Sequence, residues 1–319
     1  MTTKSTNRLV RDQPTVRVAV VQAAPVVLKL EASLEKACSL VQEAARLGAR
    51  LVAFPESWLP SYPAWLDCCR DYQLWDHTPG KRVFARLAEN SVIIPGPVTN
   101  VLASTARENG VVLSIGVSER VREGPGRGTL YNTMLTFGAD GSMLNSHRKI
   151  MPTHTERLIW GHGDGTSLKT VDTDCGRIGG LICWEHWMPL ARHVLHSCGE
   201  DIHVAEWPQV KEMNLVASRH YAFEGRCFVL AAGAIMRARD LPEELEPLES
   251  LRRDPESFVL RGGSAIIGPE GSLLAGPLFE EESILTADLD FSRIVEESLT
   301  LDVTGHYSRP DIFDVTLKQ

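Results

Sequence analysis

The run Gly179-Gly180-Leu181-Ile182-Cys183-Trp184-Glu185 ends an apolar segment at a cysteine, and a charged, helix-compatible segment follows directly. This order predicts a buried strand with a thiol at its end, at the turn into a helix. A nucleophile at such a turn lies on the rigid edge of a sheet, beside backbone N–H groups. A cysteine after an apolar run is more often a small core residue, so the thiol alone does not establish catalysis.

Strand and helix patterns alternate on both sides of this run, which predicts an α/β protein. Val16–Gln22 and Leu51–Phe54 are apolar strand patterns, and Gly48 ends the segment of helical spacing between them. Tyr131–Phe137 and Ser142–His147 flank an Ala-Asp-Gly turn, which predicts a β-hairpin. A hairpin interrupts purely parallel winding, so we expect one domain with mixed sheets.

The remaining segments predict further elements of both kinds. We expect helices near residues 98–108, 186–197 and 211–224, and strands near residues 111–117, 202–205, 228–232, 264–267 and 283–287. The charged segment 237–261 is expected to leave the core, and residues 305–319 are expected to form a tail.

Composition limits the function classes. The 319 residues are 43% hydrophobic and carry a net charge of −8 without long runs of one sign, which disfavours nucleic-acid and membrane partners and favours a small molecule. Residues 1–13 are polar and lack a signal core, and the apolar run 227–236 is half a membrane span. An odd number of cysteines, seven, in a chain of this length does not suggest a secreted disulfide framework and is typical of free thiols in a reducing compartment. We therefore expect a soluble, cytoplasmic protein.

Two further segments end strands with the groups that a cysteine hydrolase needs, a base and a cation. Phe54-Pro55-Glu56 places a carboxylate past a buried strand, where low polarity raises a carboxyl pKa. His147-Arg148-Lys149 closes another strand. Taken singly, the first is more often a helix cap and the second a basic surface turn.

A zinc protein is the competing class. Soft and imidazole side chains cluster within sixteen residues, at Cys183, His186, His193, His196 and Cys198. Their spacing lacks the paired knuckles of structural zinc sites, which disfavours this interpretation.

In combination and in this order, Phe-Pro-Glu, His-Arg-Lys and Gly-Leu-Ile-Cys-Trp-Glu resemble the Glu–Lys–Cys signature of the nitrilase, or carbon–nitrogen hydrolase, superfamily. Three longer stretches resemble its nitrilase branch, namely Arg148–Gly165, Cys183–Arg192 and Gly305–Asp311. All three residue types of the signature are present, which disfavours a catalytically dead scaffold.

The resemblance implies a role for each matching residue. Glu56 would be the general base, Lys149 the cationic stabiliser and proton donor, and Cys183 the nucleophile. Glu156 matches the family's second glutamate, and the Trp184 N–H would donate to the developing anion. No metal or organic cofactor is implied. The expected reaction converts a nitrile to carboxylic acid and ammonia through a thioimidate, with an amide-releasing hydratase or an amidase as the alternative.

The resemblance also implies a fold and an assembly. We expect a four-layer α-β-β-α sandwich with two mixed sheets, spanning residues 1–319 as one domain, with a core at about 14–300 and a tail at about 301–319. The tail would reach an interface of a homodimer or a larger spiral homo-oligomer. His186 departs from the asparagine most often found three residues after the nucleophile, which leaves the acid-to-amide ratio open.

Aromatic residues crowd the motif regions, and some are expected to line an apolar pocket for the organic part of the nitrile. The residues chosen as substrate contacts are Tyr62, Trp160, Trp187 and Trp207.

Overall fold

The computed structural model describes residues 15–318, so the polar segment 1–13 lies outside the described residues. The strands are β1 Thr15–Gln22, β2 Leu51–Ala53, β3 Val112–Arg120, β4 Leu130–Phe137, β5 Met143–Arg148, β6 Val171–Thr173, β7 Gly176–Ile182, β8 Ile202–Glu206, β9 Phe228–Ala232, β10 Ile235–Arg237, β11 Phe258–Ile267, β12 Leu273–Phe279 and β13 Ser283–Asp290. The helices are α1 Leu30–Arg46, α2 Trp65–Cys68, α3 Thr78–Glu89, α4 Pro97–Asn109, α5 Pro189–Cys198, α6 Glu212–Gly225, α7 Glu249–Arg253 and α8 Ser292–Glu297.

The strands form two mixed sheets. The first has the order β13-β1-β2-β3-β4-β5, in which β1, β2 and β3 are parallel and the remaining pairs are antiparallel. The second has the order β10-β11-β9-β8-β7-β6, with β12 paired to β11 and with β7, β8 and β9 parallel. The predicted hairpin is confirmed as the antiparallel pair β4 and β5.

Alternation along β1 explains why the sheets stack in the middle of the molecule. Val18 and Val20 are fully buried in the cluster that contains the apolar residues of the second sheet and of α5 and α6. Ala19 and Val21, which point the other way because side chains alternate along a strand, are buried with residues of α1, α3 and α4. Both faces of the first sheet are therefore covered, and the predicted α-β-β-α layering is confirmed.

Three local expectations differ from the structure. The helix expected at 186–197 is a 3₁₀ turn, Cys183–Trp187, followed by α5, because Pro189 favours the first position of a new helix. Helix α3 was not expected, since its Pro-Gly start has the composition of a turn. The segment 237–261 was wrongly expected to leave the core: Leu241, Leu245 and Leu260 are buried against it.

The residues after α8 form turns that are mostly exposed, in keeping with a tail. Within residues 15–318, no helix has both the length and the apolarity that a membrane crossing requires.

Candidate active site

The four polar side chains singled out from the sequence meet at one place between the two sheets. Glu56 follows β2, Lys149 follows β5, Glu156 lies in a 3₁₀ turn after β5, and Cys183 follows β7. All four are nearly or fully buried. One carboxylate oxygen from each glutamate and the Cys183 Sγ lie within 4.8 Å of one another. The first sheet thus supplies the carboxylate and the ammonium, and the second supplies the thiol.

Lys149 connects the two carboxylates. Its Nζ donates to Glu56 Oε1 and to Glu156 Oε2, each at 2.7 Å, and its side chain has no exposed surface. Burial lowers the pKa of Lys149, but the charges of Glu56, Cys183 and Glu156 outweigh burial and raise it above its usual value. The lysine is therefore an ammonium, held between two acceptors with its third N–H available.

Glu56 is a buried carboxyl group of weakened acidity. Burial raises its pKa to about 7 from the usual 4.5, against the lowering effects of Lys149 and of Asn132, whose amide donates to Oε1 at 2.6 Å. The other oxygen, Oε2, accepts no hydrogen bond from the residues the structure describes. That oxygen is therefore available to accept a proton.

Gly116 of β3 makes room for the segment that carries Glu56. A Cβ at this position would lie 2.3 Å from the Ser57 amide nitrogen and 2.5 Å from the Pro55 carbonyl oxygen. Both contacts are with backbone, so neither could relax by a rotamer change. The close approach of β3 to residues 55–57 therefore requires glycine.

Cys183 has a left-handed backbone, with φ of 53°, at the junction of β7 and the 3₁₀ turn. Such a conformation costs a residue with a side chain about 1–3 kcal/mol and is typical of a nucleophile at a strand-to-helix turn. Burial, and next the charge of Glu56, raise the pKa of the Cys183 thiol well above its usual value, although Lys149 lowers it. The resting residue is therefore a thiol.

Glu185, which the sequence interpretation did not single out, joins the two sides of the site. Its Oε1 accepts the Ile150 N–H at 2.7 Å, and its Oε2 accepts the Ile182 N–H at 2.7 Å and faces His147 Nε2 at 3.0 Å. The residue after Lys149 and the residue before Cys183 are thus bound to one buried carboxylate. Burial alone would raise the pKa of Glu185, but His147 and these donors lower it below its usual value.

The aromatic residues chosen as substrate contacts lie at different depths. The Tyr62 hydroxyl donates to Glu156 Oε1 at 2.9 Å. The Trp160 ring packs against Tyr62, and its Nε1 donates to Ser118. Trp207 is fully buried and stacks on His186. Trp187 is 40% exposed. Tyr62 is therefore the member of this group that bonds directly to the polar cluster.

The residues of the zinc interpretation do not converge. Among the described residues, the one group of three His, Cys, Asp or Glu side chains with ligand geometry is Glu56, Glu156 and Cys183. His186 instead bonds to the Cys183 carbonyl and to His203, and His196 bonds to Glu224. The structure thus gives these histidines partners within the protein.

A buried thiol, a carboxylate and an ammonium at the ends of three strands, inside an α-β-β-α sandwich, define a class of hydrolase. The chain belongs to the carbon–nitrogen hydrolase family, whose model matches residues 17–296. It is 41% identical over 304 residues to an aliphatic nitrilase of Sinorhizobium fredii (strain HH103), covering 95% of this chain and 96% of that one. It is also 41% identical over 311 residues to the bifunctional nitrilase/nitrile hydratase NIT4A of Lupinus angustifolius, covering 96% and 86%.

Solved structures share the fold at low identity. The carbon–nitrogen hydrolase of Helicobacter pylori G27 matches 94% of this chain and 97% of its own, with a TM-score of 0.68 and 19% identity. Nit3 of Saccharomyces cerevisiae, a nitrilase-superfamily member, matches 95% and 99%, with a TM-score of 0.68 and 19% identity. The predicted family and fold are confirmed, and the protein is a hydrolase that acts on carbon–nitrogen bonds.

Proposed function

We propose that the protein is a nitrilase that converts a small-molecule nitrile to the carboxylic acid and ammonia, with Cys183 as nucleophile, Glu56 as general base and Lys149 as cationic stabiliser. The observation that carries this proposal is the buried Lys149 ammonium held by two carboxylates beside the thiol. The similarity to nitrilases across 95% of the chain supports the same activity.

The first half of the reaction forms a thioimidate. Glu56 takes the thiol proton, and the Cys183 sulfur forms a bond to the nitrile carbon as one carbon–nitrogen π bond becomes a lone pair on nitrogen. Negative charge develops on that nitrogen, where Lys149 and the Trp184 N–H stabilise it. Lys149 gives a proton to the nitrogen and regains one from Glu56, which is then a carboxylate again. An ammonium suits this step because it can both stabilise the charge and supply a proton.

The second half uses two waters and needs no cofactor. Glu56 deprotonates a water that attacks the thioimidate carbon, and then passes that proton to the nitrogen. The nitrogen leaves as ammonia when the new hydroxyl gives up its proton and the thioester carbonyl forms. A second water, activated in the same way, releases the acid and returns the proton to sulfur. Glu156 holds Lys149 through Oε2, which also accepts the Thr153 N–H at 2.7 Å. Because Glu56 and Glu156 both hold the Lys149 ammonium, its N–H groups keep their orientation through both halves of the reaction.

An amide-releasing activity is the second candidate, because one relative at 41% identity is named as bifunctional nitrilase/nitrile hydratase. The first tetrahedral intermediate carries sulfur and nitrogen on one carbon, and either can leave. Expulsion of sulfur gives the amide, and expulsion of nitrogen gives the acid. The ratio therefore depends on which leaving group is protonated.

We also propose that residues 1–319 form one domain and act as a homodimer or larger homo-oligomer in the cytoplasm. Exposed apolar side chains on the 3₁₀ turn Cys183–Trp187, and on helices α5 and α6 that both pack against this turn, favour a self-association face. They are Trp184, Trp187, Leu190, Met213 and Phe223. The seven cysteines, all of which lie within residues 15–318, are free thiols there, as is usual in a reducing compartment. Light scattering of the purified chain would measure the assembly, and a monomer at micromolar concentration would refute it.

The activity is tested by measuring ammonia, acid and amide released from aliphatic, aromatic and arylacetonitriles. Wild type is compared with Cys183→Ala, Glu56→Gln and Lys149→Gln, with circular dichroism as the control for folding. We expect release of acid and ammonia that depends on Cys183 and is insensitive to a chelator. If the protein hydrolyses amides but no nitrile, it belongs to another branch of the family.

A further inference from the structure

Behind the nucleophile lies a chain of buried polar side chains that the proposed reaction does not use. His186 Nδ1 bonds to the Cys183 carbonyl oxygen at 2.7 Å, His186 Nε2 lies 3.0 Å from His203 Nε2, and His203 Nδ1 lies 2.8 Å from Glu200 Oε1. The chain ends where the Tyr221 hydroxyl donates to Glu200 Oε2. His186, His203, Glu200 and Tyr221 are all almost completely buried.

With both imidazole rings neutral, the contacts fix the direction of every hydrogen bond. A carbonyl oxygen can only accept, so His186 Nδ1 carries a proton, and in a neutral imidazole its Nε2 is then an acceptor. His203 Nε2 must donate to it, which makes His203 Nδ1 an acceptor in turn. Glu200 must therefore be a carboxylic acid whose Oε1 donates to His203, while its Oε2 accepts from Tyr221.

Burial favours this neutral arrangement over charged rings. It lowers the pKa of His186 to about 3 and that of His203 well below its usual value, so neither ring is an imidazolium at neutral pH. Burial likewise raises the pKa of Glu200 to about 7. The titratable side chains that face Glu200 are His196 and Cys198 of α5, Tyr221 of α6, and the neighbouring Asp201 and His203.

Packing holds the two rings in line. Trp207 stacks on His186 at 4.6 Å between centroids, and Tyr221 stacks on His203 at 3.7 Å. A Cβ at Gly179 would lie 1.8 Å from Glu200 Oε1, so β7 leaves the space in which the carboxyl lies. The chain is thus enclosed on every side that the rings present.

The end of the chain is an atom of the peptide group that carries the proposed anion donor. The Cys183 carbonyl and the Trp184 N–H belong to one planar trans peptide, in which they point in opposite directions. A hydrogen bond to the oxygen therefore orients the N–H, and it also polarises the group so that the N–H becomes a stronger donor.

We propose that Glu200, His203 and His186 form a neutral, one-directional hydrogen-bond chain that positions the Trp184 N–H for the developing anion, and that ionisation of Glu200 reverses the chain. The inference rests on the proposed nitrilase function. Ionisation of Glu200 shifts each proton across one hydrogen bond: the Glu200 proton moves to His203 Nδ1, and the His203 Nε2 proton moves to His186 Nε2. His186 must then donate from Nε2, so its Nδ1 loses the proton that bonds to Cys183.

Two substitutions at Glu200 separate this role from a merely structural one. Glu200→Gln presents an amide N–H to His203 and an oxygen to Tyr221, as the carboxylic acid does, but it cannot ionise. Glu200→Leu has neither group. Glu212→Gln, at an exposed glutamate that begins α6, is the matched control.

The experiment measures kcat and KM from pH 5.5 to 9.5 on whichever nitrile wild type hydrolyses best. Deprotonation of Glu56 should give wild type and both glutamine variants a rising limb of kcat near pH 7. We expect wild type and Glu212→Gln to show a falling limb directly above it, as Glu200 ionises. We expect Glu200→Gln to keep kcat within about twofold at pH 7 and to lack that falling limb. Glu200→Leu, if folded by circular dichroism, should lose kcat by about a hundredfold at every pH with little change in KM. A falling limb that persists in Glu200→Gln, or a folded Glu200→Leu with wild-type kcat, would overturn the proposal.

Infrared difference spectra of wild type minus Glu200→Gln give a second readout that needs no turnover. We expect a carboxylic acid band at pH 6 that disappears by pH 9. Absence of the band at pH 6 would refute the neutral chain even in an active enzyme. If wild type hydrolyses no nitrile, the proposed function fails, and this band alone decides the protonation of the chain.

Discussion

Replacing Glu185 with alanine should remove the hydrogen bonds that join the segment of Lys149 to the segment of Cys183, and it should destabilise the protein. This carboxylate accepts two backbone N–H groups at 2.7 Å and faces His147 at 3.0 Å, with almost no exposed surface. Each buried donor left without an acceptor costs about 1–3 kcal/mol, so the three together cost about 3–9 kcal/mol. Stabilities of folded domains are about 5–15 kcal/mol, so Glu185→Ala should unfold at a much lower urea concentration or fail to fold.

Glu185→Gln keeps the protein testable if the alanine variant does not fold. An amide retains an oxygen for the Ile182 N–H but turns an NH₂ group toward the Ile150 N–H, at a cost of about 2 kcal/mol. In Glu185→Gln, Ile150 and Ile182 should shift together with their neighbours Lys149 and Cys183, and this shift should lower kcat by about a hundredfold. Glu123→Ala, at an exposed loop glutamate, should change stability by about 0.5 kcal/mol or less. Urea unfolding of Glu185→Ala that matches wild type would refute the reasoning.

Three further outcomes follow from the contacts of the site. Asn132 lowers the pKa of Glu56, the proposed base, so Asn132→Leu should raise that pKa and move the rising limb of kcat from about pH 7 to higher pH. The shift is measured in the Glu200→Gln background, and a rising limb that does not move would contradict this prediction. Tyr62→Phe removes the donor to Glu156 and should lower kcat by about tenfold with KM nearly constant, whereas a rise in KM alone would indicate a substrate contact. Gly116→Ala places a Cβ 2.3 Å from a backbone nitrogen and should lower the free energy of unfolding in urea by about 3 kcal/mol or more. The control Gly124→Ala, where space is open and only the positive φ matters, should lower it by about 1 kcal/mol, and equal losses would exclude the steric argument.

The sequence identifies residues at strand ends well because a strand end is a local property. A strand pattern that ends at Glu56, Lys149 or Cys183 is visible in a few letters. The packing of one sheet on the other then brings these strand ends together. The structure places all three in one buried cluster. The order of their three motifs along the chain carries the resemblance to the family.

Residues that act through distant partners were not predictable in this way. Asn132 lies 76 positions from the carboxylate it contacts, and His203 lies 17 positions from His186. Neither pairing has a local pattern, because both depend on how strands are ordered within and between the sheets. A polar residue inside an apolar strand, as Asn132 is in β4, is the one signal that could have marked such a site.

The division of the reacting groups between the sheets also bears on how activity is gained during folding. Glu56 and Lys149 follow strands of the first sheet, and Cys183 follows a strand of the second. Either sheet can acquire its strands and still hold only part of the machinery. Return of turnover after dilution from denaturant therefore reports the docking of one sheet on the other, and it should lag behind the return of the far-ultraviolet circular dichroism signal.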